Sequence, residues 1–264
     1  MKLKRNNNII IKITFLLLLI IIFIFHINYP LLFYNIFGLL HNNNSKQNES
    51  LDIVIAHYKE DLSWVDTVIP KHARIFIYSK SDEVPNCKAS YIHTKLDNVG
   101  RCDHTYLYHI ISNYDKTLCE NTLFLPGSCD LWYKKVQVNI LVGNISKLKF
   151  NNVLLINNNF FMKRVINISH NQMIKIGYCS THEANKHSNC DLIQHKFENI
   201  NEFKKYFHIK TPRYSVQGIY MIKTNQIFNR SKEYYTDLIN TVNNGDNLLN
   251  GHFLEKCWYG IFII

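Results

Sequence analysis

From Leu96 to Asp130 the chain reads LDNVGRCDHTYLYHIISNYDKTLCENTLFLPGSCD, a turn, a helix, a buried strand and a polar loop in that order. Asn98-Val99-Gly100-Arg101 is the turn, with Gly100 free to take φ > 0. Tyr106, Leu107, Ile110 and Ile111 then recur at helical spacing. Arg101 stands where that helix begins, and backbone N–H groups at a helix start favour anions; the alternative is an ordinary surface arginine. Thr122 to Leu125 is an apolar run stopped by Pro126-Gly127, and Asp130 closes the polar loop beyond it. In α/β sheets ligands gather at such loops, past the carboxyl ends of the strands.

A second cluster is Cys179, His182, His187 and Cys190, in the pattern C-x2-H-x4-H-x2-C. Thiolate and neutral imidazole are good zinc ligands. The span between the two pairs is short for a zinc finger, so a disulfide-closed or variable loop is the favoured reading. Seven cysteines follow residue 86, and in an oxidising compartment some of them are expected to pair.

The elements that must position these residues alternate. Leu51–Ala56 is a buried-type strand ending in the polar loop His57–Asp61, where Tyr58, Glu60 and Asp61 lie. Leu62–Val68 reads as a short helix closed by Pro70, which Asp61 could N-cap. Ala73–Tyr78 and Ser90–His93 are further strands, followed by a helix from Arg101 to about Asn113. The order predicts an α/β domain with a mostly parallel sheet and flanking helices. Beyond Leu131 the pattern is weaker, with a helix over Lys134–Leu141 and a strand over Val153–Ile156. Gln217–Ile222 reads as a strand, Lys232–Val242 as a helix, and Phe253–Phe262 as a closing helix with Glu255 near one edge of its apolar face.

Ahead of this domain, Ile9–Phe25 is apolar apart from Lys12 and Thr14, and a bilayer-crossing helix needs roughly 20 such residues. Lys2, Lys4 and Arg5 precede the run and no Lys or Arg follows Lys12 until Lys46, which predicts a cytosolic N-terminus with the rest across the membrane. A cleaved signal peptide is the alternative, but the run is long for one and no A-x-A-like site follows. The expected organisation is a basic flank over 1–8, a transmembrane signal anchor over 9–29, an interfacial segment and polar tether over 30–50, and a lumenal domain over 51–264. Asn-x-Ser sequons at Asn43, Asn48, Asn144, Asn167 and Asn229 agree with export, although an Asn-rich chain supplies some by chance. The net charge of +10 is spread out in pairs such as Lys134-Lys135, which argues against a nucleic-acid partner and leaves anionic small substrates, membrane surfaces or simply solvated surface lysines.

Three blocks carry a resemblance: Ile53–Val65 (IVIAHYKEDLSWV), Leu96–Asp115 with Thr122–Gly127, and Gly218–Ile227 with Leu254–Phe262 (LEKCWYGIF). Together and in order they resemble a family of unknown function found in fungi, algae and large DNA viruses. Its blocks run AHYNEDLSWL, N-x-GRE…YL…NYD, FLQG and LER-x-W-x-x-IF. This chain departs from it at Cys102, where an acidic residue is common. That family in turn looks like the GT-A (Rossmann-like) class of nucleotide-sugar glycosyltransferases, a fold-level analogy.

The resemblance implies a nucleotide-sugar donor, a glycan or protein acceptor, and a divalent metal, Mn or Mg. It implies that Tyr58, Glu60 and Asp61 face the nucleotide, with Asn98, Gly100, Arg101 and Gly127 completing the donor site. Asp130 falls at the position of the class's Asp-x-Asp. It is either a lone metal ligand or a helix N-cap, and the missing first Asp sets metal dependence apart from the class pattern. Glu255 resembles the acidic residue that such enzymes present as a base, the alternative being a surface glutamate paired with a lysine. His104 and His109 read as helix-face residues. Two functions follow as expectations: a type II membrane glycosyltransferase-like enzyme, or a non-catalytic membrane glycoprotein with a degenerate carbohydrate-binding or structural domain.

Overall fold

The computed structural model describes residues 50–116, 118–143, 153–155, 197, 199–210, 215, 217–246 and 248–263. The chain divides into Met1–Lys46 and a compact unit, Gln47–Ile264, which holds every element described below. Residues 9–29 and the loop with Cys179, His182, His187 and Cys190 lie outside the described residues. Among the described residues no helix is long and apolar enough to cross a membrane.

The elements run β1 (Leu51–His57), α1 (Val65–Val68), β2 (Arg74–Ser79), β3 (Ile92–Lys95), α2 (Arg101–Asn113), β4 (Asn121–Pro126), a 3-10 turn (Gly127–Asp130) and α3 (Trp132–Gly143). Then come β5 (Val153–Leu155), α4 (Ile200–Tyr206), β6 (Tyr220–Lys223), a second 3-10 turn (Thr224–Asn229), α5 (Lys232–Asn240) and α6 (Leu249–Phe262). One six-stranded sheet has the order β3-β2-β1-β4-β6-β5. β1 pairs in parallel with β2 and with β4, placing Ile53 between Ile75 and Leu123. Only β6 runs against the others, pairing antiparallel with β4 and β5.

Successive strand residues point to opposite faces, and each face has its own core. Val54, Phe76, Phe124 and Tyr220 meet α2, α4, α5 and α6 on one side. Ile53, Ile55, Ile77 and Leu123 meet α1 and α3 on the other. A strand covered on both faces needs a continuous apolar run, and all seven residues of β1 are buried. Each fully buried Ile, Leu or Phe contributes about 1.5–3 kcal/mol relative to exposure, so the central strands anchor the domain.

Several elements begin elsewhere than their local sequence suggests. The helix expected from Leu62 starts at Val65, because Asp61 Oδ1 accepts the Ser63 N–H at 2.8 Å in a side-chain turn. β3 sits two residues later than expected; it is an exposed edge strand with no buried face to pin its register. The expected strand from Gln217 starts at Tyr220, because Gln217 and Gly218 take φ of 63° and 65°. α6 begins at Leu249 rather than Phe253; Leu249 is buried and Asn250 donates to Thr241 O at 3.1 Å, which overrides a poor Asn-Gly start. α4 has no counterpart in the expected elements.

Among the described residues Cys87, Cys102, Cys119, Cys129 and Cys257 are all free thiols, so none of these five makes the disulfides expected of an oxidising compartment. The sequon at Asn229 has a structural use: its Nδ2 donates to Gln226 Oε1 at 3.0 Å and to Phe262 O at 2.9 Å, tying the end of α6 to the second 3-10 turn.

Candidate functional site

The strand order reverses at β1. The chain leaves it on one side for β2 and β3, then returns through α2 to place β4 on the other side. The carboxyl ends of β1 and β4 are therefore the switch point where a ligand cleft opens in such sheets. His57 ends β1 and Pro126-Gly127 ends β4, so the geometry of the sheet selects the same loops as the residue types.

Tyr58, Glu60 and Gly127 come together there. Glu60 Oε2 accepts the Tyr58 N–H at 2.6 Å. A Cβ on Gly127 would lie 2.6 Å from that same oxygen and 3.1 Å from Ala56 O, so only glycine lets the Glu60 carboxylate lie against the end of β4. Trp64 Nε1 donates to Gly127 O at 3.0 Å and fixes the loop from the opposite side. Asp61 points away into a second set of partners, Ser63 N–H and Asn86 Nδ2, each at 2.8 Å. Its carboxyl is held below the usual range by the Ser63 N–H first and Asn86 second. Asp61 thus shapes the loop and does not face the cleft with Glu60.

The Asn98–Arg101 turn is held from beneath. Gly100 has φ of 58°, its N–H donates to Gly245 O at 2.7 Å, and a Cβ there would meet Val242 O at 2.3 Å. Arg101 follows with φ of 52°, a left-handed conformation that costs a non-glycine residue of order 1 kcal/mol. The buried Lys80 ammonium donates to both Val99 O and Arg101 O. Burial lowers Lys80 to about 8, against the pull of Cys102 and Asp103. Asn98 is exposed at the tip.

Across this turn Arg101 reaches to α6, the helix that carries Glu255. Arg101 Nη1 lies 3.0 Å from His252 Nδ1, one turn before Glu255 on α6. Glu255 Oε1 accepts the Gln217 N–H at 2.7 Å, and Oε2 lies 3.4 Å from Lys256 Nζ. Burial acts to raise the Glu255 carboxyl, but Lys256, Arg101, His252 and the Gln217 N–H together outweigh it and hold the group below the ordinary glutamate value. Two left-handed dipeptides, Gly100-Arg101 and Gln217-Gly218, thereby flank one ionised carboxylate. They also pack together, since a Cβ on Gly218 would meet Cys102 Sγ at 2.9 Å.

Asp130 ends the exposed side of the 3-10 turn, beside Leu131 and Trp132. Trp132, 67% exposed, begins α3 just past this turn. Asp130 supplies one carboxylate, and among the described residues no group of three or more His, Cys, Asp or Glu side chains could hold a metal ion. A cation at Asp130 would need a phosphate and water for the rest of its oxygen shell.

Sequence reasoning passed over Lys80, Asp103, His252 and His57. Asp103 is buried under α2 and accepts the Trp258 indole N–H at 2.7 Å. Burial first, and the Glu255 charge second, raise its carboxyl to about 7. The signal was present: positions 103, 106, 107 and 110 form one helical stripe, which puts a carboxylate on the apolar face. His57 is buried at the end of β1 with Nδ1 2.8 Å from Ser79 Oγ, which itself donates to Ser81 O at 3.2 Å. His109, read as a helix-face residue, is in the core with Nδ1 2.8 Å from Tyr78 OH.

No curated protein matches this chain in sequence. Residues 53–263 match the model of the family described as "Protein of unknown function (DUF3431)", a span that begins in β1 and closes at the end of α6, and the chain belongs to that family.

Proposed function

We propose that this protein is a membrane-anchored glycosyltransferase-like enzyme that moves a sugar from a nucleotide-sugar donor to a lumenal glycan or protein acceptor. The observation that carries the reading is the ionised Glu255 carboxylate, held by Gln217 N–H within the field of Arg101 and Lys256 at the carboxyl edge of the sheet. Transfer needs a base for the acceptor hydroxyl and positive charge for the departing diphosphate. Glu255 takes the hydroxyl proton as the acceptor oxygen bonds the sugar's anomeric carbon. The bond from that carbon to the diphosphate oxygen breaks, and the electron pair leaves with the diphosphate beside Arg101. The carboxyl ends of β1 and β4, where Glu60 lies against Gly127, are the donor side. A divalent ion at Asp130 would add charge neutralisation, but the lone carboxylate does not make a metal site by itself, and no step here depends on one.

The second reading, a non-catalytic membrane glycoprotein, is favoured by one observation: Glu255 Oε1 is already committed to a backbone N–H. Donor turnover separates the two. The full chain in detergent, given UDP- or GDP-sugars, is expected to release nucleoside diphosphate. Glu255→Gln should lower that release at least a hundredfold, the usual scale of a lost general base. Release of diphosphate at the background rate by the unaltered protein would leave the non-catalytic reading.

A further inference from the structure

We propose, resting on the enzyme reading above, that the amide pair Gln137 and Gln217 is a subsite for one hydroxyl group of the transferred sugar. Gln137 Nε2 donates to Gln217 Oε1 at 2.7 Å. Two primary amides can close a ring of two such bonds, and here only one is made. The other half is open. Gln137 Oε1 is buried with no hydrogen-bond partner, on a residue only 3% exposed. Among the described residues Gln217 Nε2 has no partner either. Each open atom shares a carbon with a bonded one, so the two lie at most about 7 Å apart. A hydroxyl group suits both, since it donates one hydrogen bond and accepts another. Turning both amides over leaves one acceptor and one donor again, so the match holds whichever atom is which.

The pair joins the two halves of the proposed reaction. Gln137 is on α3, which follows the Gly127–Asp130 turn at the end of β4, the donor side. Gln217 gives its backbone N–H to Glu255 Oε1 at 2.7 Å. One residue thus holds the base through its main chain and meets the donor-side helix through its side chain. The transferred sugar has to lie between the leaving group and the base. The turn that carries Gln217 is fixed from two sides: Tyr106 OH donates to Gly218 O at 2.9 Å, and Ser215 N–H to Lys256 O at 3.3 Å. Gln217 takes φ of 63°, a region glycine enters without strain, so what a side chain adds at this position is its amide. A buried acceptor without a donor is destabilising, and a hydroxyl arriving with the sugar supplies that donor. Gln137 is buried while Gln217 is half-buried, so the ligand comes from the Gln217 side.

The test measures the affinity of the full chain in detergent for UDP, GDP, UDP-glucose, UDP-galactose and GDP-mannose. The readout is the affinity for each nucleotide-sugar divided by that for its diphosphate. For the sugar with the highest ratio, Gln137→Met should lower the ratio about tenfold, the scale of one to two neutral hydrogen bonds, with the diphosphate affinity unchanged. Methionine fills the space of glutamine with no amide. Gln217→Gly suits the left-handed backbone, keeps the N–H to Glu255 and should give the same fall, which keeps the test decisive if the first variant misfolds. A ratio unchanged in both variants overturns the proposal and leaves the donor reading standing, with water or nothing on the open amides. An unaltered chain that binds neither diphosphate overturns the enzyme reading, and this proposal with it.

Discussion

Trp258 donates its indole N–H to Asp103 Oδ1 at 2.7 Å, joining the middle of the last helix to the first turn of α2 across 155 residues. Both side chains are buried, and the bond fixes where α6 presents Glu255 relative to Arg101. Removing the indole would leave a buried carboxyl short of a donor as well as a cavity.

The pair carries a pH signature. Asp103 has its folded value raised to about 7, above the ordinary carboxyl value, so the folded state binds the proton more tightly than the unfolded chain. Stability from this residue is therefore full below about pH 4 and is lost as pH rises through 7. Asp103→Asn keeps an acceptor for Trp258 and cannot ionise. It should match the unaltered protein near pH 4 and exceed it at pH 8 by on the order of 4 kcal/mol. Urea denaturation of both proteins across that window checks it; a difference independent of pH would contradict the assignment.

Lys80 gives the opposite slope. Burial lowers its value to about 8, so between pH 8 and about 10.5 the unfolded chain holds a proton that the folded one does not, and stability rises with pH there. Lys80→Met should abolish that rise. It should also cost about 2–3 kcal/mol at pH 7, because two carbonyls of the Gly100-Arg101 turn lose a charged donor.

Two glycines should fail in different ways. In Gly100→Ala the new methyl meets backbone, Val242 O at 2.3 Å, in a left-handed conformation. The expected loss is at least about 2 kcal/mol of stability. In Gly127→Ala the methyl meets the far end of the Glu60 side chain, which can swing aside. The fold should survive nearly unchanged while nucleotide binding weakens. Parallel melting and nucleotide-binding curves separate the two.

Local signals carried the first half of the domain. The apolar run of β1, the Gly100 turn and the α2 stripe are each set by a few neighbouring residues, and β1, α2 and β4 fall within a residue or two of where those signals put them. Legibility failed where tertiary partners decide. Nothing local shows that β6 runs antiparallel, or that Gln217 would adopt positive φ to donate to Glu255 from 38 residues away. α4 was legible but overlooked: Asn199 accepts from Asn201 N–H at 3.0 Å and from Glu202 N–H at 3.1 Å, an N-cap written in the sequence. In the site, Arg101 and Glu255 were each within reach, the one at a helix start after a glycine turn and the other at the edge of an apolar helix face, but nothing local brought them together. Lys80 and His252 were not, since a lysine after a strand and a histidine before a helix's apolar face look like surface.

The central claim is that the carboxyl edge binds a nucleotide-sugar donor through Arg101. Its most direct test is a thermal-shift titration of the full chain with UDP and GDP, with and without manganese. The account predicts a rise in melting temperature with at least one nucleotide, lost in Arg101→Ala and reduced in Asp130→Ala if manganese contributes. A folded protein whose melting temperature is unmoved by either nucleotide, with or without the metal, would contradict it.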